Sequence, residues 1–180
     1  DNSPQPQHVA GEFDSNFVYV HDSTNGGLSK AYNQAAAYAG RNGKTWLMLL
    51  DQDTEFPPGA FSVYQNAVKC YPEISLFAPI LKETDGSHFS PKNFNRRGKL
   101  HNLKIGVNSF RDFSPVNSGM LIDTLAFTES GGYNERVRLD FADHQFIQRF
   151  QKKHREFVLL AVECAQSSSN EETDLKKLSV

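Results

Sequence analysis

Apolar and polar positions alternate along this chain in short blocks, and the blocks predict a succession of strands and helices. Phe17–Val20 (FVYV) reads as a short strand running into the turn-rich stretch Ser23 to Gly27. From Leu28 an alanine-rich helix is predicted, with Leu28, Ala31, Ala35 and Ala39 near one face and Gly40 and Gly43 at its end. Trp46–Leu50 is an unbroken apolar run of the kind a buried central strand shows, and it passes directly into Asp51-Gln52-Asp53. Pro57-Pro58-Gly59 then opens a helix over Ala60–Cys70, and Ile74–Leu81 reads as the next strand. This strand, helix, strand, helix, strand order predicts an α/β domain with a mostly parallel central sheet flanked by helices.

The pattern breaks between Lys82 and Ser114, where polar, Gly and Asn residues dominate and Lys92, Arg96, Arg97, Lys99 and Lys104 form the one basic cluster. A loop of that length in a compact domain is either functional or disordered. Solvated-face and phosphate-clamping readings of its cations both fit. Periodicity returns with a strand in Ser118–Thr124, a short helix over Leu125–Ser130 ending at Gly131-Gly132, a helix over Asp143–His154 with Phe146, Ile147 and Phe150 on its apolar face, and a last strand over Phe157–Cys164. No internal repeat is visible. The length of 180 residues suits a single domain with its own core.

Composition narrows the function class. With 19 basic and 21 acidic residues the net charge is -2, so no basic field points to nucleic acid. No apolar run approaches the roughly 18 residues that span a bilayer. The expectation is a cytoplasmic domain, with peripheral attachment at the inner face of the membrane left open. Cys70 and Cys164 are too few for a disulfide scaffold and read as core thiols, with pairing left open. The histidines lack the spacing of a zinc site.

The chemistry concentrates at Asp51-Gln52-Asp53. Residues i and i+2 of a strand share a side, so both carboxylates could converge on one cation or polar ligand. Eleven Asp in 180 residues would supply roughly 0.7 Asp-x-Asp pairs by chance, so the strand before the pair carries more weight than the pair.

Taken in order, five segments resemble the family 2 glycosyltransferases with the GT-A fold, in particular their rhamnosyltransferase-like branch. They are the Asn25–Asn33 helix entry, the apolar strand into Asp51-Gln52-Asp53-Thr54, Asn117-Ser118-Gly119, Gly131–Glu135, and Asp143 to Arg149. The resemblance implies an α/β GT-A fold and an enzyme moving a sugar from a nucleoside-diphosphate donor, a UDP- or dTDP-sugar, to a saccharide or lipid-linked acceptor with inversion, as in bacterial polysaccharide assembly. It places Asp53 on a Mg²⁺ or Mn²⁺ bridging the diphosphate and Asp51 at the ribose or in the metal shell. Asp1 falls at the nucleobase pocket and Asn25 and Gly27 in the nucleotide-sugar site. Asp143 matches the catalytic base, and Asp140, His144 and Arg149 fall at the acceptor site or behind it. Asp143 is also suited to a plain helix N-cap.

Two departures from the family stand out. Ala142 replaces the first of two acids that usually precede the helix, and Gln166 stands where many relatives carry a His. The Asp1-Asn2-Ser3 turn is preceded in the family by a strand, helix and strand, so residues 1–180 read as a single glycosyltransferase domain lacking that unit, which needs roughly 30 residues. Three other readings compete. A haloacid-dehalogenase-like phosphatase also opens with an apolar strand into Asp-x-Asp, but Thr54 sits one place early and Glu55 stands where Thr or Val is required. A sugar nucleotidyltransferase would carry a Gly-rich, Arg- and Pro-containing loop, which is not seen. The third is a non-catalytic, degenerate nucleotide-binding fragment.

Overall fold

The structure is a computed structural model and describes residues 1, 3–7, 17–93, 103–137 and 141–167. Its elements run α1 (Gly27–Arg41), β1 (Trp46–Met48), β2 (Thr54–Glu55), α2 (Ala60–Cys70), β3 (Leu76–Glu83), β4 (His88–Ser90), β5 (Lys92–Asn93), β6 (Gly106–Ser109), β7 (Phe113–Ser114), β8 (Leu121–Asp123), α3 (Thr124–Glu129), α4 (Ala142–Phe150) and β9 (Glu156–Gln166). One sheet runs in the order β1-β8-β3-β9-β2, with β4 added to β3 and β6 to β9.

The long apolar strands β3 and β9 form the middle of this sheet because both faces of each are covered. Leu76 and Ala78 of β3 and Phe157 and Leu159 of β9 join the core under α1, α3 and α4. Their neighbours Phe77, Leu81, Val158, Leu160 and Val162 join a second core under α2. Side chains alternating across the pleat thus define three layers, with helices on both faces.

The α/β prediction holds, while the expected mostly parallel sheet does not. Only β3 and β9 pair in parallel, and every other pairing among the described residues is antiparallel. The cause is β8, which lies between β1 and β3 and runs against both. The β1-α2-β3 crossover still delivers two strands pointing the same way, but a later strand has been inserted between them. Alternating strands and helices report direction and leave neighbours undetermined.

Other expectations shift in detail. Phe17–Val20 forms no strand among the described residues, and Val18 and Val20 stay exposed. Strand β1 stops at Met48, with Leu49 buried and Leu50 half exposed (51 %), so the apolar run leaves the sheet before the acidic pair. Helix α1 buries Ser29, Tyr32, Ala36 and Ala39. The bulk of Tyr32 turns that line toward the core and leaves Ala31 and Ala35 exposed. The stretch from Lys82 to Ser114 contains the end of β3 and four short strands, β4 to β7, whose few residues each carry no readable period. Arg96, Arg97, Lys99 and Asp140 lie outside the described residues. Cys70 is exposed and Cys164 buried, and both are free thiols. Burial pushes the Cys164 thiol up to about 11.

The turn between Asn117 and β8 is a tight point of the fold. Gly119 has φ 76°, its N–H donates to the Leu49 carbonyl (2.8 Å), and its own carbonyl accepts from the Tyr64 hydroxyl (2.6 Å). A Cβ there would stand 2.7 Å from Pro79 Cγ and 3.1 Å from the Tyr64 oxygen. Gly119→Ala is therefore expected to lower stability by about 2–4 kcal/mol in urea unfolding, from backbone strain together with overpacking.

Candidate functional site

Asp51 follows the end of β1, half-buried, and its carboxylate is held by protein donors at the wall of an open cleft. Its Oδ1 accepts from the Tyr32 hydroxyl (2.6 Å) and Asn117 Nδ2 (3.3 Å), and its Oδ2 from Ser118 Oγ (2.5 Å) and Asn117 Nδ2 (3.2 Å). Asn117 Nδ2 also reaches the Tyr32 oxygen at 3.2 Å. A carboxylate offers about four acceptor sites, and three protein donors, the Tyr32 and Ser118 hydroxyls and Asn117 Nδ2, occupy most of them. Burial and the adjoining Asp51 charge push the Tyr32 hydroxyl well above the usual phenol range, which keeps it a donor.

Asp53 is different. It lies in a turn two residues on, outside any strand, so the shared-side argument for the pair does not apply. Its backbone is pinned to the end of β9, the Ser167 N–H donating to the Asp53 carbonyl (3.0 Å) and Thr54 Oγ1 to Gln166 Oε1 (2.5 Å). Its carboxylate makes no hydrogen bond or ion pair with the described residues. Those residues contain no group of three or more His, Cys, Asp or Glu side chains able to cage a metal. A single unengaged carboxylate fits Mg²⁺ or Mn²⁺ held jointly with substrate phosphates, a common arrangement for the smaller of these ions, and does not fit an all-protein site.

Asp143 occupies the second position of α4, whose N-cap is Phe141, so the plain N-cap reading does not apply. One carboxylate oxygen accepts from the His144 N–H (2.7 Å). The side chain lines an open cleft of about 450 Å³ together with Asp51, Asn117, Ser118 and His144. Gln166, Phe89, Lys92 and Phe141 complete much of its wall, with Lys92 Nζ 4.4 Å from the centre of the Phe89 ring. His144 Nδ1 lies 3.2 Å from Ser114 Oγ.

Arg149 stands behind this wall. Its guanidinium donates to the carbonyls of Ser130 (3.0 Å) and Gly132 (2.6 Å) and to Gln145 Oε1 (3.0 Å), gripping the Gly131–Glu135 turn. The same turn is held from α1, where the Asn33 side chain donates to the Tyr133 carbonyl (2.9 Å) and accepts from its N–H (2.7 Å). Tyr133 then stacks on Phe146 of α4 (4.6 Å) and meets Tyr32 edge-on (5.4 Å).

The structure thus brings Asp51, Asp143 and His144 to one cleft and keeps Arg149 behind it. Asp1, Asn25, Gly27 and Asp53 are not among the residues lining that cleft. The Asp1 carboxylate accepts from the N–H groups of Ser3 (2.9 Å) and Gln7 (3.1 Å) and from the Tyr19 hydroxyl. It borders a larger, mainly apolar cleft of about 760 Å³ along α1 and the outer edge of β1, with Val18, Ala35 and Leu47. Asn25 (φ 46°) and Gly27 shape the entry to α1 beside Asp22, whose carboxylate the Lys30 ammonium (2.7 Å) holds well below the usual carboxylate range. Sequence reading missed Tyr32, Phe89 and Phe141 as site residues. Only Phe141, an apolar residue immediately before the Ala142-Asp143 helix start, carried a signal.

The sequence matches the glycosyl transferase family 2 profile over residues 1–125. No curated protein matches it. Among solved structures, the chain is similar to Staphylococcus aureus TarS residues 1–349 in complex with UDP, at 16 % identity and a TM-score of 0.58 over 84 % of this chain and 43 % of that one. A second TarS structure of the same residues gives 13 % identity and a TM-score of 0.60 over 88 % and 45 %. GalNAc-T7 with UDP, GalNAc and Mn²⁺ gives 13 % identity and a TM-score of 0.55 over 83 % and 32 %. At these identities the likeness is one of fold, the GT-A type, and the chain spans less than half the length of each of these structures. Joined to the acidic cleft at the end of β1, the match over residues 1–125 makes the chain a member of glycosyl transferase family 2.

Proposed function

We propose that the protein is a metal-dependent, inverting glycosyltransferase that moves a sugar from a UDP- or dTDP-sugar to a saccharide or lipid-linked acceptor. The observation carrying this reading is the division of labour among the acidic groups. Asp51 is largely occupied by protein donors, whereas Asp53 and the outer oxygen of Asp143 keep their acceptor capacity. UDP in TarS, and UDP with Mn²⁺ in GalNAc-T7, support a nucleoside-diphosphate donor and a divalent cation.

In this reading Asp143 takes the proton from the acceptor hydroxyl as that oxygen attacks the anomeric carbon. The bond from that carbon to the diphosphate breaks on the opposite face, and the configuration inverts. Asp143 stands in the first turn of α4, at the wall of the cleft an acceptor would enter. Asp53 would hold a Mg²⁺ or Mn²⁺, which neutralises the diphosphate as it leaves. Asp51 serves as a positioning residue, fixing the turn that carries Asp53. The Asn25–Gly27 turn and Asp1 fall to the nucleoside side of the donor, His144 and Asp140 to the acceptor side.

The open edge of β1 supports a further part of this reading, that the cleft along that edge and α1 receives the nucleobase of the donor. Among the described residues β1 pairs with β8 alone, and apolar side chains line the cleft on its other side. No helix among the described residues is long and apolar enough to cross a membrane. A lipid-linked acceptor would be met at the inner face of the membrane.

Two variants test these roles. Asp143→Asn is expected to lower transfer at least about 10³-fold while calorimetric affinity for UDP with Mn²⁺ stays unchanged, since a base acts on the acceptor; an equal loss of donor affinity would remove Asp143 from that role. Asp53→Asn is expected to abolish the Mn²⁺-dependent part of UDP binding. Unchanged Mn²⁺ dependence in that variant would assign the cation to other residues.

A further inference from the structure

Among the described residues, Phe141 is the one large apolar side chain that both lines the acidic cleft and remains mostly exposed, at 74 %. It also sits in the left-handed region, φ 63° and ψ 7°, which a bulky side chain adopts at a cost and Asn or Gly tolerates. Its side chain supplies no cap hydrogen bond to α4, although it stands at the N-cap position. Folding gains little from a phenyl group here: exposure forfeits the burial term, the backbone is strained, and a capping residue would serve the helix better. Strain of this kind persists where the surroundings hold the residue for another purpose.

The purpose is visible in where the ring stands. Phe141 precedes Asp143 by two residues, and its ring lies 6.2 Å from that of His144, at the mouth of the cleft Asp143 lines. A pyranose ring has one face rich in C–H groups, whose slightly positive hydrogens are attracted to the negative face of an aromatic ring, while its hydroxyls point outward to polar partners. A sugar laid on Phe141 would direct hydroxyls toward Asp143 and His144.

We propose that Phe141 is the stacking platform for the acceptor's sugar ring, so that the acceptor is a saccharide presenting a pyranose face. This rests on the glycosyltransferase reading, and its test separates the two. The full chain is titrated with Mn²⁺ and UDP by calorimetry, and with methyl glycosides of hexoses, 6-deoxyhexoses and N-acetylhexosamines by saturation-transfer NMR, as wild type, Phe141→Asn and Phe141→Trp. At least one glycoside is expected to bind the wild type. Phe141→Asn should weaken it about 3–10-fold, Phe141→Trp should retain it, and UDP affinity should be the same in all three. Thermal melting of Phe141→Asn should be unchanged or higher, because Asn relieves the backbone and caps the helix.

Glycoside binding that Phe141→Asn weakens, without UDP binding, would uphold the platform and overturn the donor assignment. UDP binding with no glycoside bound, or glycoside affinity indifferent to Phe141→Asn, would overturn the platform. So would a fall in melting temperature and UDP affinity in Phe141→Asn, since that pattern belongs to a residue that merely supports the fold.

Discussion

The structure around the cleft depends on one carboxylate being held by protein donors. Asp51 draws three donors from two separate places in the chain: Tyr32 on α1, and the adjacent Asn117 and Ser118 ahead of β8. Hydrogen bonds to a charged acceptor contribute about 1.5–3 kcal/mol each, and a half-buried carboxylate without them would be strongly unfavourable. The node therefore locks the end of β1 to α1 and to the turn at Gly119. Everything that follows Asp51, including Asp53 and β2, starts from a fixed point.

A second linkage carries that fixed point to α4. Tyr32 touches Tyr133, Tyr133 stacks on Phe146, and Asn33 and Arg149 hold the backbone of the Gly131–Glu135 turn from opposite sides. Gly132, at φ 58°, lets that turn approach α1 so closely that a Cβ would stand 2.5 Å from Asn33 Oδ1. Asp143 follows Ala142 and precedes Phe146 and Ile147, all three buried in the same core as Tyr32 and Tyr133. Two acidic groups far apart in sequence face one cleft because the helices bearing their supports share one core.

Legibility in the sequence followed the range of the interactions. Helices α1 and α2 and the strands β3, β8 and β9 were readable because local period and turn residues define them. The insertion of β8 between β1 and β3 was not, since strand neighbours are chosen by packing across the whole sheet. The same holds at the site. Asp51, Asp53 and Asp143 were visible as acids at element ends, and Asn117-Ser118 as part of a recurring segment. That Asp51 is held by the protein depended on Tyr32, which in sequence is one more aromatic on a helix; only its approach to Asp51 within 2.6 Å gives it a role.

The different engagement of the acids bears on charge. Asp51 and Asp143 line one cleft, Asp53 follows Asp51 closely, and Lys92 is the one cation among the described side chains lining that cleft. A nucleoside diphosphate entering such a region would meet like charge at short range, where a reduced effective dielectric raises the repulsion to several kcal/mol per pair. Protein donors offset the charge of Asp51, and Asp143 lies at a helix N-terminus that offsets part of its own. Asp53 has neither. In the proposed reading it is accordingly the carboxylate whose charge remains for a cation, and a cation there makes the approach of an anionic donor favourable.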